Sequence, residues 1–274
     1  MRIISSAPTR ISLFGGGTDL PVYYENGNSG MVISMAINIK QRFELNSPSN
    51  EHSNFVTISE NPAFYASILS GTGWRADEVD LSQKFDGEIE SGLGTSAAAA
   101  VAMVAGLTRM KGQKLTRQQI AERAWDIEVN QMKLYGGKQD QYAAAFGGMN
   151  TIYFSSKGVT VDPWPRDRGE GLVDSILLFH TNTKRKDPKI QEQLLTLDDK
   201  QKEKMGAIWG MAMSAIGPIW LGHFHTIGSI LNEAWKWKKA LNPRVTTPEI
   251  DIIYDSAIKA GATGGKLCGS GGGG

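Results

Sequence analysis

Three oxygen-bearing side chains have the chemistry that phosphoryl transfer uses. Ser96 closes a run of glycines and hydroxyls in SGLGTSA (91–97), Glu128 lies 32 positions further on, and Asp140 another 12. A helix begins with backbone N–H groups that lack partners and with the positive end of its dipole, so its first turn attracts anions. Glycines ahead of that turn let main chain approach a phosphate closely, and hydroxyls such as those of Thr95 and Ser96 can reach phosphate oxygen or Mg²⁺. Ser91, Gly92, Leu93, Gly94, Thr95, Ser96 and Ala97 are therefore read as a phosphate cradle leading into the alanine-rich stretch that follows. The loop is not of the Walker A type, because no Lys follows the glycines, and it is not a GxGxxG dinucleotide fingerprint. The plainer alternative is a tight turn in front of a core helix.

A nucleotide-bound Mg²⁺ usually takes one or two protein oxygens, with phosphates and water completing its shell. Ser96 and Glu128 are the candidates. Asp140 follows YGG and opens DQYAAAF. A carboxylate there could take the proton from an attacking hydroxyl, kept ionised by a cation such as Arg10 or Lys138. Asp140 as a helix N-cap and Glu128 on a solvated helix face are the competing readings. Lys184, Arg185, Lys186 and Lys189 form the densest basic cluster, where the fork of Arg185 suits a phosphate on the acceptor; a solvated helix face is the alternative. His223 and His225 have no third ligand in view, which argues against a metal there.

These residues need elements to hold them. The sequence predicts strands at 10–14, 30–37, 42–45, 54–58, 151–154 and 175–180, each bounded by turn residues. It predicts helices over 97–110, over 116–132 with Thr116 and Gln119 as a capping box, at DQYAAAF, over 184–204, over 227–241 and over 248–260. Strands and helices without regular alternation indicate an α+β fold, and PWPRDRGEG (163–171) is the candidate boundary between two domains, 1–165 and 166–274. The 274 residues carry 29 Lys plus Arg against 28 Asp plus Glu, so no global basic field exists to hold nucleic acid or a membrane surface. Cys268 is the only cysteine, which excludes a disulfide framework and suits a reducing cytoplasm. The start, MRIISSAPTR, has no apolar stretch long enough for a signal peptide, the longest small-apolar run, 97–107, is well short of a bilayer crossing, and the expectation is a soluble intracellular protein.

Taken together, the segments resemble the GHMP kinase superfamily. APTRISLFGGGTDLP (7–21) is similar to its substrate motif, SGLGTSAA (91–98) to its ATP-phosphate loop, and GGKLCGSGGGG (264–274) to its third, glycine-rich motif, in the family's order. The intervals from Ser96 to Glu128 and from Glu128 to Asp140 are close to the family's spacing of metal-binding residues and catalytic Asp. FGGGTDLP, GGKQDQYAAAFGGMN and LLFHTNTKR look most like the sugar 1-kinase branch.

The resemblance implies an N-terminal domain like ribosomal protein S5 domain 2, a ferredoxin-like C-terminal domain, and an active site between them. It implies ATP as phosphoryl donor with Mg²⁺, and a sugar or sugar phosphate as acceptor. Asp140 would be the base, Arg10 its charge partner with Lys138 nearby, and Ser96 and Glu128 the Mg²⁺ ligands. Gly16, Gly17, Thr18 and Asp19 would hold sugar hydroxyls, with Gly271 and Gly272 of the third motif reaching the substrate. Neither nucleic acid nor membrane is an expected partner, and homo-oligomerisation is left open. Where the family has Pro-Pro-Gly-Ser-Gly this chain has Glu88-Ile89-Glu90-Ser91-Gly92, which sets carboxylates near the expected triphosphate. The family's chain continues past the third motif into a strand and a helix, so a chain ending at Gly274 is expected to be a fragment. Other readings are a kinase of fucose or galactose, and an inactive sugar or nucleotide sensor of the same fold.

Overall fold

The structure is a computed structural model that describes residues 1–47, 61–87, 91–183 and 190–273. Its contacts divide the chain into two compact units, one of residues 1–10, 36–89 and 94–147, the other of residues 11–35, 90–93 and 148–274.

The first unit is organised around the alanine-rich helix α3 (Thr95–Met110). Ala97 through Val104 are buried without a break, and so is Leu107. A helix that is apolar all round must be surrounded. Around it lie Phe43 and Leu45 of strand β2 (Gly30–Asn46), Phe64, Ile68 and Leu69 of helix α2 (Pro62–Gly71), Ala124 of helix α4 (Arg117–Asp126) and Ala144 of helix α5 (Gln139–Phe146). Small side chains permit this close approach: a Cβ on Gly106 would lie 2.4 Å from Leu45 Cδ1. Residues 41–46 of β2 pair antiparallel with strand β3 (Asp80–Phe85). The capping box forms as expected, with Thr116 N–H donating to Gln119 Oε1 at 2.9 Å and Gln119 N–H to Thr116 Oγ1 at 3.2 Å. The helix it starts does not run evenly to Met132, because residues Ile127–Gln131 widen into a π turn.

In the second unit, residues 30–35 of β2 pair antiparallel with strand β4 (Met149–Ser155), which pairs in turn with strand β5 (Gly158–Pro163). The end of strand β1 (Arg2–Phe14) leads through GGGTD into the short helix α1 (Pro21–Tyr24). Helices α6 (Arg166–Val173), α7 (Asp199–Leu221), α8 (Phe224–Leu241) and α9 (Pro248–Lys259) follow. The helices α7 and α8 pack as a hairpin whose turn passes through Gly222 at φ 69°. Among the described residues no helix is long and apolar enough to cross a membrane.

The mixed α+β class expected from the sequence is observed, with departures. The segment 175–180 is not a strand. It leaves α6 through turn bonds from Ser175 and Ile176 to the carbonyls of Leu172 and Val173, and Leu177 and Phe179 are 81% and 64% exposed. A short apolar run becomes a strand only beside a ladder partner, and none is paired with it among the described residues. From residue 166 onward the described residues hold helices and no strand. The strand expected at 54–58 and the first part of the helix expected at 184–204 lie outside the described residues; the rest of that stretch is a 3₁₀ turn (Ile190–Leu194) followed by the start of α7.

The GGGTD turn depends on one hydroxyl. Thr18 Oγ1, fully buried, accepts from Met31 N–H at 3.0 Å and donates to Gly15 O at 2.8 Å. Thr18→Val keeps the shape and leaves the Met31 amide unsatisfied, so a loss of about 1–3 kcal/mol is expected in urea denaturation, with Thr18→Ser retaining most of the stability. Unchanged stability in the Val variant would show that the hydroxyl does not hold the turn.

Candidate active site

In the first unit a bare helix start meets a charged pair. Gly94 is the N-cap of α3 in the left-handed conformation (φ 72°, ψ 36°), and no side chain caps the helix. A Cβ at this position would lie 3.2 Å from Asp140 Oδ2 and 3.3 Å from Arg10 Cζ, so any other residue would press on that pair. Glycine alone provides both the backbone angle and the clearance.

Arg10 and Asp140 form a two-pronged ion pair. Arg10 Nε donates to Oδ1 at 2.8 Å and Nη2 to Oδ2 at 2.6 Å. The guanidinium comes from β1 and its side chain is 4% exposed, whereas that of Asp140, in the first turn of α5, is 28% exposed. The pair therefore fixes the carboxylate from its buried side and leaves its outer side accessible. Asp140 is not the N-cap of α5; Lys138 holds that position. The Lys138 amine does not reach Asp140. It donates to Glu122 Oε2 at 2.7 Å and stands 4.4 Å from the centre of the Trp125 ring, while Tyr142 donates to the other oxygen of Glu122 at 2.5 Å.

One residue along α5, Gln141 faces a second carboxylate. Gln141 Nε2 donates to Glu128 Oε2 at 2.7 Å, and Ser96 Oγ donates to Glu128 Oε1 at 2.5 Å. Glu128 sits in the π turn and is 5% exposed, which excludes the solvated-face reading. Burial pushes its pKa up to about 7, against the pull of the Ser96 and Gln141 hydrogen bonds, and the charge of Asp140 adds to the rise. A buried carboxylate with no cation beside it is what a divalent ion would relieve. Two hard oxygens suit Mg²⁺ that shares its shell with phosphate. The residues present thus fit the ion, and Gln141 Oε1, buried and without a hydrogen-bond partner, lies on the same amide. Among the described residues no group of three or more His, Cys, Asp or Glu could hold a metal alone.

Thr95 and Ala97 lie in the first turn of α3, and residues 16–19, 91–93, 271 and 272 lie in the second unit. Asp19, 2% exposed, accepts from Gly17 N–H at 2.9 Å, and the Thr18 hydroxyl is spent on backbone. Ser91 Oγ is buried without a hydrogen-bond partner. Gly92 lies against the third glycine loop, where a Cβ would come within 2.9 Å of Cys268 O. Lys238 fastens that loop by donating to Gly269 O at 2.6 Å and Leu267 O at 3.4 Å. Gly271 and Gly272 are buried against Val245, with Gly272 N–H donating to Val245 O at 2.8 Å. Glu88, Glu90, Lys184, Arg185, Lys186 and Lys189 lie outside the described residues. The sequence reading missed Gln141 and Glu122. Both are ordinary helix residues whose partners lie 13 and 16 positions away, and no local pattern announces such pairs.

Residues 66–148 match the family described as GHMP kinases N terminal domain, and residues 219–274 match GHMP kinases C terminal, together more than half of the chain. The chain is 28% identical to D-glycero-alpha-D-manno-heptose 7-phosphate kinase of Campylobacter jejuni, covering 99% of this chain and 87% of that protein. It is 26% identical to mevalonate kinase of Methanothermobacter thermautotrophicus, covering 100% of this chain and 89% of the other. Among solved structures it is similar to a D-glycero-D-manno-heptose 1-phosphate kinase from Bacteriodes thetaiotaomicron, with a TM-score of 0.74, 25% identity, and coverage of 99% and 86%.

The raised pKa of Glu128 sets a pH test. Because the folded value lies above the ordinary 4.5, burial costs nothing below pH 4.5, and the cost grows until about pH 7. Its full size is on the order of 3 kcal/mol. Glu128→Gln stays neutral, so in metal-free buffer its melting temperature should gain on the parent as pH rises from 4.5 to 7.5. A difference independent of pH would mean that the carboxylate is not desolvated.

Proposed function

The chain belongs to the GHMP kinase family, and within it we propose that this member transfers the γ-phosphoryl group of ATP to the anomeric hydroxyl of a sugar. The proposed acceptor is D-glycero-D-manno-heptose 7-phosphate and the product the 1,7-bisphosphate, supported by the heptose-phosphate kinases among its relatives. The observation that carries the chemistry is the clearance at Gly94. The uncapped start of α3, where phosphates bind, directly adjoins the carboxylate that can take a proton.

In this reading the triphosphate lies over residues 91–97, where the N–H groups at the start of α3 and the hydroxyls of Ser91, Thr95 and Ser96 meet its charge. Asp140 accepts the proton of the attacking hydroxyl on its outer side while Arg10 keeps it from turning. Ser96 and Glu128 would hold Mg²⁺, which when bound offsets the charge on the phosphate oxygens. Gln141 keeps the second oxygen of Glu128 from swinging away. Asp19 holds the sugar's hydroxyls beside Gly16 and Gly17, with Thr18 setting the turn, and Arg185 takes the acceptor's own phosphate. Lys138 acts indirectly, by tying the start of α5 to Glu122. Most of the rate gain comes from positioning and charge neutralisation. The proposed domain division is 1–165 and 166–274; each family match falls within one of these ranges. The proposed compartment is the cytoplasm.

ATP-dependent phosphorylation of D-glycero-D-manno-heptose 7-phosphate, compared with fucose, galactose and mevalonate, tests the reading. Turnover should be highest on the heptose phosphate, and Asp140→Asn should lower it by roughly 100-fold or more while sugar and nucleotide still bind. Faster turnover of an unphosphorylated hexose would reassign the sugar. Ligand binding without ATP consumption would instead favour a sensor.

A further inference from the structure

The second unit holds a cavity of about 260 Å³ that plays no part in the proposed reaction. Its floor is one face of the β4–β5 hairpin. Thr151 and Asp162 face each other across the ladder, and Tyr153 follows two residues along. Its walls are Trp164, held between Pro163 and Pro165, and Ile216 and Trp220 of α7. The volume is just below that of pockets for drug-sized ligands, which begin at about 300 Å³.

The polar inventory of this lining is one-sided. Pro163 and Pro165 have no N–H. The Trp164 backbone N–H donates to Met149 O at 2.9 Å, and its indole N–H donates to Thr151 Oγ1 at 2.8 Å. What remains is the hydroxyls of Thr151 and Tyr153, the aromatic faces, and Asp162, which is exposed and makes no ion pair among the described residues. Burial and then the neighbouring Asp162 charge push the Tyr153 phenol up, consistent with an unneutralised carboxylate nearby. The adjacent arginines do not neutralise it. Arg166 is paired with Glu170 at 2.7 Å and Arg168 lies 3.5 Å from Asp167. Arg168 also stands 5.8 Å from the centre of the Trp220 ring, so this ring already interacts with one cation. The rings of Trp164 and Trp220 are 5.1 Å apart, tilted by 40°.

A lining of π faces and one free carboxylate, poor in hydrogen-bond donors, repels anions and attracts cations. A neutral apolar ligand would strip water from Asp162 without compensation. An alkylated ammonium satisfies both features at once, since its charge needs no set of matched acceptors. From this we infer that the cavity between the β4–β5 hairpin and α7 binds a small quaternary ammonium ligand, with Asp162 as its counter-charge and Tyr153, Trp164 and Trp220 as its aromatic walls.

The test titrates choline chloride into the full chain, following tryptophan fluorescence, with sodium chloride at matched ionic strength as reference. A parallel titration uses 3,3-dimethylbutan-1-ol, the uncharged analogue of the same shape. Choline should give a saturable change below about 100 mM that the alcohol does not give, and Asp162→Asn should weaken it about 10-fold. Asp162 is exposed, so this variant is expected to fold, and its unchanged circular dichroism and ATP turnover would confirm that. An equal response to the alcohol, choline binding left intact in Asp162→Asn, or no saturable response would each overturn the proposal.

Discussion

The candidate site depends on a guanidinium that cannot give up its charge. Arg10 projects from β1 into the first unit with a side chain only 4% exposed, and an arginine so placed needs a carboxylate with both oxygens in reach. Asp140 is that carboxylate, and it meets the fork at 2.8 and 2.6 Å. Fixing Asp140 in this way orients the start of α5, and the start of α5 in turn sets where Gln141 can point. Gly94 follows from the same constraint, because a side chain there would lie on the pair. One buried charge thus dictates a carboxylate, a helix entry and a glycine.

Glu128 presents the opposite case. It is as buried as Arg10 but has two neutral hydrogen bonds in place of a counter-ion, and its proton affinity rises accordingly. A protein optimised for stability alone would place a neutral amide or an apolar residue there. Retaining an unneutralised carboxylate costs folding free energy, and such costs concentrate where a ligand supplies the missing charge. The π turn at Ile127–Gln131 fits this view, since an extra residue in the helical turn changes the direction in which Glu128 projects.

Local features were the ones legible in the sequence. The capping box at Thr116 and Gln119, the start of α3 after its glycines and the helix at DQYAAAF depend on neighbours three or four residues away, and each forms where expected. Ser96, Glu128, Asp140 and Arg10 could be picked out as candidates by residue type and by resemblance, and the first unit brings these four together in two pairs, Ser96 with Glu128 and Arg10 with Asp140. Which of several distant partners a side chain takes was not legible. Lys138 and Arg10 looked equivalent as cations for Asp140, and only the placement of Glu122 beside Lys138 separates them. The hydroxyl of Thr18 looked free for a ligand, yet the amide of Met31, 13 positions on, claims it. SILLFH has the composition of a strand, but composition cannot supply a ladder partner.

Adjacent residues of α5 carry the last consequence. Asp140 and Gln141 are about 100° apart around the helix axis, so one turn of backbone directs the first to Arg10 and the second to Glu128. The candidate base and the candidate metal carboxylate are therefore not independent parts. Any rotation of α5 that improved one contact would loosen the other. Lys138, tied to Glu122, and Tyr142, bonded to the same carboxylate, resist that rotation from the residues on either side of the pair. The proposed reaction depends on positioning, and a single helical turn, braced at both ends, fixes Asp140 and the amide that orients Glu128 relative to each other.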